Sequence, residues 1–212
     1  TDAVYSEMPP GTVKAPLRFK NWDFEAEVGE NTFTFVPPDD ATEVSSLAAI
    51  FGETSMSANP LEGRPAPVFT AELLNGESVN MADHFGKDIV VLDFWATWCG
   101  PCRRAMPELE EAVKKYKDKG VVVYAVNSSD SKDAIEGFLK EEGLDVTVAM
   151  DPTERAFSAY LVEGIPQLVL IGRDGRVEKV ITGYVDGYKE LVSGYLETLV
   201  AGEHITEPAG EK

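Results

Sequence analysis

The chain predicts a three-layer α/β domain on a central mixed β-sheet, and three observations carry that reading. Residues 89–95 form an almost unbroken apolar run of strand length, typical of a strand covered on both faces, and a helical pattern follows at once. Residues 121–126 repeat the arrangement with a second buried run and a second helix. Late in the chain, 167–171 and 177–182 are two strand-like runs on either side of Asp174-Gly175, a turn signal that makes neighbouring antiparallel strands.

The remaining elements follow in order. Residues 71–79 predict a hairpin turning at Asn75-Gly76, with a short helix over 81–85 after it. The helix that begins near Cys99 carries a buried stripe of Met106, Leu109, Val113 and Tyr116, and Pro107 is expected to kink it. A helix over 131–142 stops at Gly143, a strand over 146–149 and a helix over 153–160 come next, and an amphipathic helix over 185–200 closes the fold. Upstream, residues 1–51 predict a partial β-rich segment: aromatic and polar residues alternate in Phe19-Lys20-Asn21-Trp22 and Phe33-Thr34-Phe35, until Pro37-Pro38 ends the pattern. Two strands do not make a stable domain by themselves. Composition then assigns 52–62 to a linker, 63–203 to the main domain and 204–212 to a flexible tail.

The totals exclude several classes. A hydrophobic share of 43% with 26% charged residues suffices for a packed core. A formal net charge of -18 argues against nucleic acid or an anionic membrane surface as partner, because both require clustered Lys and Arg. No run of 18 apolar residues and no basic-then-apolar leader is found in the chain, so neither a span nor an export signal is read here. The only cysteines are Cys99 and Cys102, which leaves a redox pair, a structural clip or half a metal site.

Spacing favours the redox pair. Three residues apart at a helix start, both sulfurs face one way and lie within disulfide reach. Cys99 meets unpaired backbone N–H groups and the positive end of the helix dipole, which favour its thiolate, so it is the expected nucleophile. Cys102, deeper in the helix, is suited to resolve a mixed disulfide. Gly100 and Pro101 fit the turn into the first helical residues. A purely structural disulfide here would close too small a loop to stabilise much. A zinc site would need four ligands, and His84 and His204 are far apart without paired spacing, so no metal is expected. Asp93 interrupts the apolar run, where burial would raise its pKa and make it a proton partner for Cys102. Trp95 reads as core and Trp98 as the rim of the site. Pro166 by itself marks only a strand start. Arg103 and Arg104 read as solvated, His84 as a surface residue, and Asn127-Ser128-Ser129 as a chance match to a glycosylation acceptor.

The stretch Val91-Leu92-Asp93-Phe94-Trp95-Ala96-Thr97-Trp98-Cys99-Gly100-Pro101-Cys102, with Pro107 and the later Gly164-Ile165-Pro166, closely resembles thioredoxin. Gly63-Arg64-Pro65-Ala66-Pro67-Val68-Phe69, the Asn75-Gly76 hairpin and Phe85-Gly86-Lys87 resemble the entry segment of TlpA/ResA-type redoxins, mostly envelope-located bacterial relatives. This resemblance spans about 63–200 and implies a thioredoxin fold, a cis Ile165-Pro166 bond, and an Ile165 backbone that pairs with an extended substrate segment near the sulfurs. It places Asp93 on thioredoxin's buried proton-transfer Asp, and Trp98, Gly100, Pro101, Ile165 and Pro166 on the substrate-binding surface. Two departures stand out: Ala105 occupies the position where ResA-type proteins bear an active-site Glu, and Gln167 follows the cis Pro where thioredoxin has Thr. The opening segment through Phe33-Thr34-Phe35-Val36-Pro37-Pro38-Asp39-Asp40-Ala41 resembles the closing strands of LolA-like lipoprotein-sorting domains.

The expected activity is therefore dithiol-disulfide exchange with protein substrates, in the reducing direction, fed by an upstream thiol electron donor and needing no cofactor, metal or nucleic acid. An apolar ligand or a lipoprotein is the partner that a LolA-like region would take, and the expected location is the bacterial periplasm or a membrane tether in the envelope. The alternative is a redox-sensing or docking module that serves the N-terminal segment without turnover. Peroxidase chemistry is disfavoured because Cys99 sits at a helix start and not in a Pro- and Thr-bearing loop.

Overall fold

A computed structural model describes residues 59–208 of the chain. Seven strands form one sheet among the described residues: β1 (Thr70–Leu73), β2 (Ser78–Asn80), β3 (Ile89–Phe94), β4 (Val121–Asn127), β5 (Val148–Met150), β6 (Gln167–Ile171) and β7 (Val177–Thr182), in the order β2-β1-β5-β4-β3-β6-β7. The centre, β3 with β4 and β4 with β5, is parallel. The flanks, β1 with β2 and with β5, and β6 with β3 and with β7, are antiparallel. Four helices connect them: α1 (Gly100–Lys114), α2 (Lys132–Glu142), α3 (Arg155–Ala159) and α4 (Tyr188–Val200). The expected mixed sheet and α/β class are what the molecule adopts.

Every residue of β3 is buried, as a strand between two helical layers requires. On one face, Val91, Leu168 and Leu170 pack against Leu109 and Val113 of α1 and Val192 and Leu196 of α4. On the other, Leu92, Phe94 and Val169 pack against Ala156 and Tyr160 around α3. Each such fully buried side chain contributes ~1.5–3 kcal/mol of burial energy. Local signals set the element ends. Ser131 caps α2 through Ala134 N–H, and Gly143, at φ 68°, ends it in the left-handed region that glycine adopts without strain. Asn75 Oδ1 accepts the Glu77 N–H in the β1–β2 turn, where Gly76 has φ 88°.

Several expectations shift. The short helix at 81–85 is a 3-10 turn over Met81–His84. Expected strand 146–149 runs Val148–Met150, and the expected helices 153–160 and 185–200 shorten to α3 and α4. Residues 59–62, assigned to the linker by composition, belong to the packed unit: Glu62 is buried and its carboxylate accepts the Val180 N–H at 2.9 Å and pairs with Lys179. Residues 204–206, expected in a flexible tail, dock on the fully buried Glu178, whose carboxylate accepts from His204 Nδ1, Ile205 N–H and Thr206 N–H. A buried carboxylate needs such partners, and no local pattern in the sequence announces them. The expected segment 1–51 lies outside the described residues. No helix among the described residues is long and apolar enough to cross a membrane.

Candidate active site

The site stands where β3 ends and α1 begins. Cys99 is the N-cap of α1, and the Cys102 N–H donates to its Sγ at 3.2 Å. Placed there, Cys99 receives one of the unpaired donors of the first helical turn as well as the positive end of the dipole, and both stabilise a thiolate. Pro101 occupies a first-turn position, where its missing N–H removes no helical bond. The two sulfurs are joined in a disulfide, S–S 2.01 Å, with Cα atoms 5.2 Å apart. Cys99 is 4% exposed and Cys102 1%, so both residues are buried. Gly100 and Pro101 beside them face solvent.

The two neighbouring loops complete the rim. The Ile165-Pro166 bond is cis, and the half-buried Ile165 packs against the cluster that contains Cys99, Cys102, Trp95 and Met106. Pro166 is buried, and its carbonyl accepts the Gly183 N–H at 2.7 Å, tying this loop to the end of β7. Trp98 is 70% exposed, an unusual position for the largest apolar side chain and consistent with a contact surface. Trp95 is fully buried against Phe138.

Asp93 lies in the middle of β3, paired through its backbone with Ala125 of β4 and Leu168 of β6. Burial pushes its pKa from 3.8 to about 7, and its Oδ1 has no hydrogen-bond partner among the described residues. It opens on a cavity of about 380 Å³ between α1 and β4, lined also by Met106, Leu109, Glu110, Val123 and Ala125. The predicted residues thus fall into two groups. Cys99, Cys102 and Ile165 share one cluster with Trp98, Gly100 and Pro101 around them, while Asp93 sits beneath, with its own opening.

Two readings change, those of His84 and of the arginine pair, and Gln167 and Asn127 gain definite partners. His84 is half-buried, with Nδ1 2.8 Å from Asp88 Oδ2 and Nε2 2.9 Å from the Tyr124 hydroxyl, because the 3-10 turn presses it against β4. Arg103 pairs with Glu142 and lies over the Phe138 ring, and Arg104 lies over Tyr184, so neither is simply solvated. Gln167 turns inward, with Nε2 donating to the Tyr160 carbonyl at 2.9 Å, and so braces the segment before the cis Pro. Asn127 is fully buried: its Oδ1 accepts the N–H groups of Ser129 and Asp130, which removes it as a glycan acceptor.

That last contact belongs to a network which the sequence did not reveal. The Asp130 carboxylate accepts from Thr97 N–H at 2.7 Å, Thr97 Oγ1 at 2.8 Å and Asn127 Nδ2 at 2.8 Å, and the Trp98 indole N–H points at Ser129 Oγ. The loop after β4 thereby holds the two residues that precede Cys99. Asp and Asn near the end of a buried strand are the signal that was present, since such side chains organise turns by bonding nearby backbone.

Comparison with known proteins agrees with this arrangement. Residues 61–198 match the Redoxin family model, and residues 3–47 match a family described as a predicted periplasmic protein of unknown function, DUF2092. The thiol-disulfide oxidoreductase ResA of Bacillus subtilis is 35% identical over 156 residues, covering 74% of this chain and 83% of that one. ResA of Geobacillus kaustophilus is 36% identical over 137 residues, 65% of this chain and 77% of its own. Among solved structures, a thiol:disulfide interchange protein of the DsbE type from Chlorobium tepidum superposes with a TM-score of 0.61 at 35% identity, over 66% of this chain and 97% of that one. A protein disulfide isomerase from Bacteroides thetaiotaomicron does so with a TM-score of 0.61 at 28% identity, over 66% and 90%. With the family model covering the whole sheet and a helix-capping Cys pair in the place such an enzyme needs it, the chain belongs to the Redoxin family, as a thioredoxin-fold thiol-disulfide oxidoreductase of the TlpA/ResA type.

Proposed function

We propose that the chain reduces disulfides of protein substrates, with Cys99 as nucleophile, Cys102 as resolver and Asp93 as proton partner. The observation that carries this reading is the unequal placement of the two cysteines, Cys99 capping the helix with the Cys102 N–H on its Sγ and Cys102 lying within the first turn. The Cys99 thiolate attacks one sulfur of the substrate disulfide and releases the other as a thiolate. Cys102 then loses its proton to Asp93 and attacks Cys99 Sγ, which frees the second substrate thiolate and leaves the Cys99–Cys102 disulfide. Two electrons pass from the enzyme dithiol to the substrate.

Trp98, Gly100, Pro101, Ile165 and Pro166 form the docking rim in this reading, with the Ile165 backbone available to an extended segment. The reducing direction is supported by the Cys-Gly-Pro-Cys resemblance to thioredoxin, whose potential is about -270 mV. We place the protein in the bacterial envelope, on the strength of the periplasmic description attached to the family matching residues 3–47. Protein substrates, an upstream thiol donor, and an apolar ligand or lipoprotein for the N-terminal region are the partners this assigns. The redox domain of this reading includes the packed residues 59–62 and the docked residues 204–206 as well as 63–203.

Insulin reduction by the dithiol form tests the activity: Cys99→Ser abolishes it, while Cys102→Ser accumulates a mixed disulfide visible by mass. Unchanged turnover in Cys99→Ser overturns the assignment. A Cys99 pKa near that of a free thiol, about 8.5, would favour a sensing module instead.

A further inference from the structure

The reaction leaves a proton on Asp93, in the interior, and each turnover requires that it leave. Asp93 is 1% exposed, and its nearest covalent and pairing neighbours, Leu92, Phe94, Ala125 and Leu168, offer no side chain able to take a proton. The cavity supplies an opening. Opposite Asp93 on β4 stands Ala125, whose small side chain leaves space that a larger residue would fill. Met106, Leu109, Val113 and Val123 share the cavity's lining with polar residues. Glu77, Glu110, Lys117, Tyr124 and Asp145 are the titratable residues on its lining, and neither Cys99 nor Cys102 is on it. Of the carboxylates other than Asp93, Glu110 alone is half-buried; Glu77 and Asp145 are exposed. Its position is fixed, because Oε1 accepts the Asp145 N–H at 3.2 Å and ties α1 to the loop before β5. An orphaned carboxylate oxygen and a volume with room for several water molecules are the conditions under which a buried site holds water.

We infer that this cavity is the proton exit of the reaction: water in it links Asp93 to Glu110, which passes the proton to solvent through a mouth separate from the face where substrate docks. This rests on the reading of Asp93 as the partner of Cys102. The balance is simple. Cys102 gives a proton to the Asp93 carboxylate as its sulfur attacks Cys99 Sγ; the Asp93 acid then returns to carboxylate by giving a proton to the first water, Glu110 receives one at the other end, and solvent takes it from there. Tyr188 of α4, whose hydroxyl feels the Asp93 charge, is a further titratable group near Asp93 that does not line this route. With substrate docked over Cys99, a second opening lets the proton leave while the first face is covered.

Rapid mixing of the reduced full-length chain with the aromatic disulfide DTNB separates the steps, since the first thionitrobenzoate released reports attack by Cys99 and the second reports resolution by Cys102. Glu110→Gln keeps an acceptor for the Asp145 N–H but cannot carry a proton. It should slow the second phase about tenfold, enlarge that phase's slowing in D2O, and leave the first phase unchanged. Glu110→Asp should recover part of the rate, and Val123→Phe, which fills the cavity, should reproduce the Gln effect. A second phase unchanged in Glu110→Gln, or slowed without any change in its D2O effect, overturns the inference. An unchanged second phase in Asp93→Asn overturns instead the reading on which it rests.

Discussion

Asp93 is the residue at which sequence and environment disagree most, a carboxylate in a strand where every neighbour is apolar. Its folded-state pKa, raised by burial from 3.8 to about 7, makes it a stability statement as well as a mechanistic one. Because the folded value lies above the unfolded one, the contribution of this group is fully present below about pH 4. As pH rises toward 7 the unfolded chain ionises first, and stability falls; above about 7 the loss is complete. Asp93→Asn removes this slope. In the oxidised protein, urea unfolding should show the variant close to wild type at pH 4 and more stable by up to a few kcal/mol at pH 8. Both Asp93 and the Cys pair were legible in the sequence because their signals are local: a charge inside an apolar run, and two cysteines at a helix start. Gln167 was not, since its partner is the Tyr160 carbonyl and only the turn between them brings the two together.

At the scale of elements, the chain is most legible where a turn residue punctuates it. Asn75-Gly76 and Asp174-Gly175 each produced the hairpin expected of them, and Gly143 ended α2 where it should. Element ends without such punctuation drifted by two or three residues, as at β5 and α4. The loop after β4 was the larger omission. Asp130 reaches Thr97, 33 positions earlier in the chain, and no window of sequence contains both. Removing that carboxylate leaves a partly buried backbone N–H and a hydroxyl without their acceptor, at a cost of ~1–3 kcal/mol. Asp130→Ala should lower the midpoint of thermal unfolding and slow the first DTNB phase by loosening the approach to Cys99. Asp130→Asn, which keeps one acceptor oxygen, should recover part of both.

For the molecule as a whole, charge is the dominant long-range property. A net charge of -18 surrounds a site whose first step is attack by a thiolate, so like-charged substrates are opposed before they touch the rim. The reduced protein should therefore react faster with the cationic disulfide cystamine than with oxidised glutathione, which is anionic, at low ionic strength. The two rates should converge as salt is raised toward 1 M, where the screening length is about 3 Å. Equal rates at low salt would show that the rim is shielded from the global field. Composition made this legible from the beginning, whereas the extent of the folded unit was not. Glu62, and Glu178 on which residues 204–206 dock, are acidic residues that a composition count treats as surface and the fold uses as buried acceptors.

Those two carboxylates also determine how the unit would bear mechanical load. The incoming chain is fastened to β7 by the Gly63 N–H on the Val177 carbonyl and by Glu62 on Val180, and the outgoing chain is fastened to the adjacent Glu178. A pull applied to the two ends converges on this one edge strand. β3, with Cys99 beyond its far end, is separated from β7 by β6. Under tension the edge would yield first, and the disulfide would be among the last parts of the molecule to feel the force.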